Sequence, residues 1–312
     1  MATYLITGMA GSLAQLCAAR MVEQGHEIIG VDYRPEPEPI LPEITYYQAN
    51  YNKTRIEDIF RRHQPRGVLH LGRVGNLKMT PNKRFDLNVI GSAKIMELCV
   101  KYHVPRLLVL STFHIYGAHP SNHIPISEDD PLRAGQSFPQ LADAVQLDNQ
   151  ASTWLYQHRQ VKTVVLRPTN VVGRRIQNAI SKFLRQPRLP YLVGFSPVWQ
   201  FLDERDMVRA IELAFFSDAA GVFNVAGPGE IPLHEALRLT GAQLVPVPSL
   251  LAAAFLRLSD LLRVSFPPYL LDFFRYPCVI SDARFRETFG YKPEVGLIDT
   301  IRSASMRLPT AA

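Results

Sequence analysis

The stretch Thr7-Gly8-Met9-Ala10-Gly11-Ser12-Leu13-Ala14 carries the strongest chemical signal in the chain. It follows a short apolar run, Thr3 to Thr7, and opens a segment of helical spacing, Leu13 to Glu23. A glycine turn between a strand and a helix is the context a dinucleotide fingerprint needs. Gly8 permits the tight turn, and Gly11 lets the backbone approach a pyrophosphate. The amides at the helix start then face that anion, because a helix's first turn has donors without intrahelical partners. Ala14 still allows close helix–strand packing. Asp32 ends the second apolar run, Glu27 to Val31. There a carboxylate accepts hydrogen bonds from a ribose 2′-hydroxyl, which favours NAD. Arg34, two residues on, can instead meet a 2′-phosphate, so NADP stays open.

Such residues must be held by a sheet, and the rest of the chain supplies one. Further apolar runs lie at Tyr46–Gln48, Gly67–Leu71, Arg106–Leu110 and Lys162–Leu166. Helical patterns fill the gaps at Arg55–Arg62, Phe85–Lys101 and Leu141–His158. Nearly continuous apolar strands separated by helices predict a parallel sheet covered on both faces. The right-handed crossover rule makes it a doubly wound α/β fold. After Pro168 the rhythm breaks. Prolines and basic residues crowd Arg174–Pro197, and a helix (Asp206–Phe216) and a strand (Gly221–Val225) follow. From Gly227 the pattern reads as mainly helical.

Composition narrows the function classes. The 312 residues are 47% hydrophobic and 20% charged, which excludes disorder. Three distant cysteines, Cys17, Cys99 and Cys278, exclude a disulfide framework and fit a reducing, cytoplasmic setting. The N-terminus lacks a signal-peptide pattern. Leu250–Leu256 is too short to span a bilayer and is soon broken by Arg257, Asp260 and Arg263, so no membrane partner is expected. The helix Leu250–Leu262, followed by Pro267–Phe274, reads as an interface or an acyl-substrate wall. A net charge of +6 leaves an anionic partner open. The cluster Lys53, Arg55, Arg61, Arg62, Arg66 sits beside Glu57 and Asp58 and reads as solvated surface, not a nucleic-acid face. His114, His119 and His123 with Glu128, Asp129 and Asp130 match no standard metal spacing, so no metal is expected.

Ordered motifs along the chain resemble the extended short-chain dehydrogenase/reductases, the NAD-dependent epimerase/dehydratase family. Beyond the glycine turn these are Val68–Gly72 (VLHLG), Asn88–Ser92 (NVIGS), Ser111–Gly117 (STFHIYG) and Arg167–Gly173 (RPTNVVG). Phe201–Ile211 (FLDERDMVRAI), Gly221–Pro228 (GVFNVAGP) and Ser281–Arg284 with Gly290–Pro293 complete the series. The resemblance implies a Rossmann-type domain over 1–170, completed by about 204–230. A smaller C-terminal substrate-type lobe would comprise 171–203 and 231–312. It implies a cofactor site formed by Gly8, Met9, Ala10, Gly11, Ser12, Leu13, Asp32, Tyr33, Arg34, Asn50, Tyr51, Leu71, Gly72, Asn88, Pro168 and Asn170. Asn88 would also help hold the central sheet. A homodimer through Phe85–Lys101 and Leu141–His158 is implied, as is a small-molecule substrate.

The family's chemistry needs a Ser/Thr, a Tyr and a Lys, the last two four residues apart on one helical face. The ammonium depresses the tyrosine pKa so that a phenolate serves as base. Thr112 matches the Ser/Thr. The next helix starts Phe138-Pro139-Gln140-Leu141-Ala142-Asp143, which puts Phe138 and Ala142, or Pro139 and Asp143, in the other two places. Phe138 has no proton to transfer, and Ala142 cannot bond the nicotinamide ribose. Asp143 would repel a phenolate; it reads as a solvated or helix N-terminal charge. His114 and Tyr116 are the nearest titratable substitutes; His114 also reads as a rim or packing residue, and Tyr116 as a structural or substrate-facing one. Where nucleotide-sugar epimerases hold a phosphate with arginine, this chain has Trp199, which can stack or pack. Arg174, Arg175 and Arg205 remain as anion contacts or a solvated face. Two readings stay open: an NAD(P)-binding protein without standard catalysis, or an enzyme with substitute acid/base groups.

Overall fold

A computed structural model describes residues 1–75, 79–249 and 270–306. The main sheet has seven strands: β1 (Thr3–Thr7), β2 (Glu27–Asp32), β3 (Ile44–Gln48), β4 (Val68–His70), β5 (Arg106–Leu110), β6 (Lys162–Pro168) and β7 (Gly221–Val225). Their order is β7-β6-β5-β4-β1-β2-β3, and every pairing is parallel. From β1 the chain runs outward to β3, then returns to β4 on the other side. The carboxyl ends of β1 and β4 therefore flank the crevice where connections diverge, which is where ligands of doubly wound sheets bind.

Helices cover both faces. Alternate strand residues point to opposite sides. Ile6 and Ile28 join Cys17 and Met21 of α1 (Ser12–Glu23) in one apolar layer, with Met207 and Ile211 of a late helix (Glu204–Phe216). Leu5 and Ile29 join the opposite layer. That layer holds Ile56 and Phe60 of α2 (Thr54–His63), Ile95 and Leu98 of α3 (Gly91–Lys101), and Leu147 and Leu155 of α4 (Ala142–Gln157). A short helix, Pro81–Phe85, enters α3 through a π-turn, Asp86–Ile90. A third apolar cluster joins Phe183, Leu189, Trp199, Leu237, Phe273 and Ile301 to Phe113, Tyr116 and Ile126 from the segment after β5.

The late segments correct one expectation. The part after Gly227 is not simply helical: Ile231–Pro232 pairs antiparallel with Val198–Trp199, and Gln243–Val247 pairs parallel with Arg188–Leu192. Their partners lie about 30–60 residues earlier in the chain, so local periodicity carried no sign of them. The expected helix Leu250–Leu262 lies outside the described residues, as does the start of Pro267–Phe274; Leu270–Phe273 is helical.

Asp148, fully buried on the apolar stripe of α4, accepts two bonds from the Arg167 guanidinium, at 2.6 and 3.0 Å. Ser111 Oγ donates to the same carboxylate at 2.5 Å. Arg167 Nη1 reaches Tyr116 Oη and the Glu128 carbonyl, both at 2.9 Å. This network ties α4 to β6 and to the segment after β5. Removing one partner leaves a buried charge uncompensated, which costs about 3–5 kcal/mol. Asp148→Ala should lower the urea unfolding midpoint accordingly; an unchanged midpoint would show that the pair contributes nothing.

Candidate functional site

The turn after β1 and the segment after β4 meet backbone to backbone. Gly8 has φ +75°, and a Cβ there would lie 2.6 Å from the Gly72 Cα. A Cβ on Gly72 would in turn lie 2.5 Å from Tyr51 Oη. That hydroxyl accepts the Gly8 amide at 2.9 Å, so Tyr51 is a strut beneath the turn. Asn50, beside it, is exposed. Met9 turns into the core and packs where Gly30 has no side chain. The Gly11 amide closes the turn on the Gly8 carbonyl at 2.8 Å. Gly11 is the N-cap of α1; no side chain caps the helix, and its first turn has no acidic residue. The positive helix end is thus left for an external anion.

Asp32, buried at the end of β2, accepts the Ala10 amide at 3.0 Å. Arg34 folds back on it, with Nε on Oδ1 at 3.1 Å and Nη2 on Oδ2 at 2.8 Å. The Arg34 guanidinium also lies 5.7 Å from the Tyr33 ring centre. Asn88 grips the Val74 backbone through both ends of its amide, at 2.7 and 3.0 Å, and so fixes the segment that begins with Leu71 and Gly72. Beneath the crevice runs a chain that sequence reasoning missed: Thr7 Oγ1 to His70 Nδ1 at 2.7 Å, then His70 Nε2 to Ser92 Oγ at 2.7 Å. Ser92 donates on to the Asn88 carbonyl at 2.6 Å, so a neutral His70 satisfies every link. Burial holds the His70 pKa down at about 4.

On the far side, Thr112 begins a short 3-10 turn, Phe113–Tyr116. Its Oγ1 lies 2.9 Å from His114 Nδ1. The His114 ring packs on Phe113 and Phe273. Burial, aided by the Arg73 charge, lowers its pKa to about 3. Tyr116 points inward: its hydroxyl donates to Asn224 Oδ1 at 2.8 Å and accepts from Arg167, and burial pushes its pKa up to about 12. Thr112 and His114 thus come together, while Tyr116 is absorbed by the inner network.

Asp143 lies in the first turn of α4, as its helix N-terminal reading has it, while its solvated reading fails. It is buried, not solvated: it accepts Asn88 Nδ2 at 2.6 Å and faces Arg84 Nε at 3.6 Å. Helix geometry turns this position toward the Pro81–Phe85 segment, whose Arg84 balances the charge and also donates to the Gln140 carbonyl. Phe138 is buried against Ala134 and Leu141, and Ala142 is exposed. Asn170 Nδ2 donates to the Gln200 carbonyl at 3.0 Å, just past Pro168 at the end of β6. Trp199 packs: its Nε1 donates to the Phe273 carbonyl at 2.8 Å. Arg205 is tied to Asp203. One signal for the missed Asp148 was available, since an acid among Ala144, Leu147, Ala151 and Leu155 requires a buried partner.

A family profile described as "NAD dependent epimerase/dehydratase family" matches residues 4–226, well over half of the chain. The chain belongs to the NAD dependent epimerase/dehydratase family. A curated relative, an uncharacterized protein of Mycobacterium tuberculosis, is 25% identical over 304 residues, 93% of this chain and 80% of that protein. Among solved structures, UDP-glucose 4-epimerase of Thermus thermophilus, in complex with NAD, has a TM-score of 0.77 at 20% identity, covering 97% of each chain. The dTDP-glucose 4,6-dehydratase of Bacillus anthracis, also with NAD, has a TM-score of 0.77 at 16% identity, covering 97% of this chain and 96% of its own. Membership of the epimerase/dehydratase family thus rests on the profile, and the two structures share its fold. Among the described residues no helix is long and apolar enough to cross a membrane.

Two outcomes follow from this geometry. Gly8→Ala should destabilise the protein by about 1–3 kcal/mol, through backbone strain and collision with Gly72; unfolding in urea reads it. Buried neutral His70 and His114 bind protons in the unfolded chain first. Stability should therefore fall as pH drops from about 6.5, by about 1.4 kcal/mol per unit for each histidine, until pH approaches 4 for His70 and 3 for His114. His114→Phe should flatten that slope; an identical profile would contradict the buried neutral state.

Proposed function

We propose that this chain binds NAD at the Gly8–Leu13 turn and does not carry out tyrosine/lysine hydride chemistry. It would act as a sensor, a chaperone-like subunit or a binding protein. The carrying observation is the pairing of an uncapped α1 and a side-chain-free Gly8–Gly72 contact with a helix start that has no tyrosine or lysine. The residues fit a dinucleotide: the first-turn amides of α1 would hold its pyrophosphate, and Asp32 its adenine ribose. Asp32 shares both oxygens with Arg34, so a ribose hydroxyl would join that pair, whereas a 2′-phosphate of NADP would have to draw Arg34 away. The bound nicotinamide ring would supply hydride exchange. This chain offers no phenol at 138 or 139 and no ammonium at 142 or 143 to move the accompanying proton. The neighbours' complexes with NAD support the cofactor reading.

The second reading is an active oxidoreductase, epimerase or dehydratase on a nucleotide sugar or other small polar molecule. The 2.9 Å contact of Thr112 with His114 favours it. A pKa of about 3 makes His114 a weak base, which tells against it.

The same reading assigns 1–170 and about 204–230 to the nucleotide-binding unit, and 171–203 with 231–312 to the lobe. It includes a cytoplasmic setting, supported by three buried free thiols. A homodimer is supported by exposed Phe85 and Ile90 before α3 and exposed Tyr156 on α4. Ile90→Asp should then convert a sedimenting dimer to monomer; a wild-type monomer would end that part of the proposal.

Calorimetry should show NAD binding, with no hydride exchange across a panel of nucleotide sugars. Turnover that vanishes in His114→Ala but persists in Phe138→Ala would establish the second reading. No binding of any dinucleotide would overturn both.

A further inference from the structure

Asp32 is the residue that an adenine ribose needs, and it has no surface of its own to offer. It is wholly buried, with 0% of the residue exposed. Four donors fill its carboxylate. Oδ1 accepts the Arg34 amide at 2.9 Å and Arg34 Nε at 3.1 Å. Oδ2 accepts the Ala10 amide at 3.0 Å and Arg34 Nη2 at 2.8 Å. A carboxylate has about four lone-pair sites in all, so a ribose hydroxyl finds every one taken.

The donors differ in how they can leave. The two amides belong to the backbone. Ala10 lies in the glycine turn, and the chain at Arg34 and Pro35 is tethered to β3, because both carbonyls accept Tyr46 Oη, at 2.8 and 3.1 Å. The guanidinium is held by side-chain contacts alone, on Asp32 and beside the Tyr33 ring. The Arg34 side chain is 43% exposed against 1% for that of Asp32. It therefore covers the carboxylate from the solvent side. It also reaches the start of α1: Nη2 lies 3.7 Å from the point where a Cβ on Gly11 would stand. The ribose and the pyrophosphate of a dinucleotide would occupy the surroundings of Asp32 and of Gly11, and Nη2 borders on both. Of the four donors, only the two on the guanidinium can leave without moving backbone. Side chains at exposed positions change rotamer within about nanoseconds.

We propose that Arg34 is a latch on the ribose seat, and that a nucleoside ribose enters by taking the place of Nη2 on Asp32 Oδ2. This deepens the dinucleotide reading above and rests on it. The hydroxyl joins the pair there while Nε keeps Oδ1. The ligand class is a nucleoside with a free 2′-hydroxyl. A protein whose binding-competent form is a fraction of the whole shows an affinity reduced by that fraction. The latch thus weakens the binding of any adenosine ligand, whereas a guanidinium that simply paired with a diphosphate would strengthen it. The two roles have opposite signs.

Calorimetry on the full chain with adenosine, 2′-deoxyadenosine and NAD separates them. Adenosine is uncharged, so it reads the latch without any attraction between phosphate and guanidinium. Arg34→Ala should tighten adenosine about three- to tenfold. Arg34→Lys keeps the charge but cannot grip both oxygens, and should tighten it by a smaller factor. In both variants 2′-deoxyadenosine should gain less than adenosine, because it lacks the hydroxyl that competes for Oδ2. If neither variant, shown to be folded by its urea midpoint, binds adenosine more tightly than the parent, the latch is overturned while NAD binding by the parent still stands. If parent and variants alike bind no dinucleotide, the latch and the dinucleotide reading fall together.

Discussion

The architecture depends on one close approach. Gly8 and Gly72 touch where β1 and β4 end, with no side chain between them. There the sheet's two halves diverge, so there backbone amides can face an open crevice. Tyr51 completes the arrangement from beneath, its hydroxyl against the Gly8 amide and its ring against Gly72 and Gly91. A side chain at either glycine would separate the strand ends and move the start of α1 with them.

Around this contact the protein arranges buried polar groups as struts. His70 links Thr7 on β1 to Ser92 on α3, and Asn88 holds the segment after β4. Asp148 and Arg167 do the same on the other side, binding α4, β6 and the loop that carries Thr112. Each group is satisfied by partners of fixed geometry, and low local dielectric makes each link expensive to break. Both flanks of the crevice are therefore cross-linked by buried polar contacts.

The reacting end differs in kind. At and just before the start of α4, Phe138 lies in an apolar pocket and Asp143 in a buried pair with Arg84 and Asn88. Asp143 is held by structure and is not available to solvent or to a substrate. Its charge is balanced by Arg84 from the Pro81–Phe85 segment. Phe138 and Asp143 are thus both taken up by packing and pairing within the chain.

Much of this was legible in the chain itself. The glycine turn, the apolar strands, the acid after β2 and the order of the motifs established the family, the doubly wound sheet and the absence of the Tyr/Lys pair. These are local features, set by backbone sterics and periodicity within a few residues. What only the tertiary structure decided were contacts between distant segments. Tyr51, expected in the cofactor site, is a strut for Gly8, 43 residues away. Asp143, read as a solvated or helix N-terminal charge, sits in the first turn of α4 and finds Asn88 and Arg84 from another helix. Arg174 and Arg175, a basic run among prolines, sit on a loop fixed by Glu204, Arg185 and Ser12. A charge or hydroxyl does not announce its partner in the sequence, because burial and pairing are settled only when packing brings the two sides together.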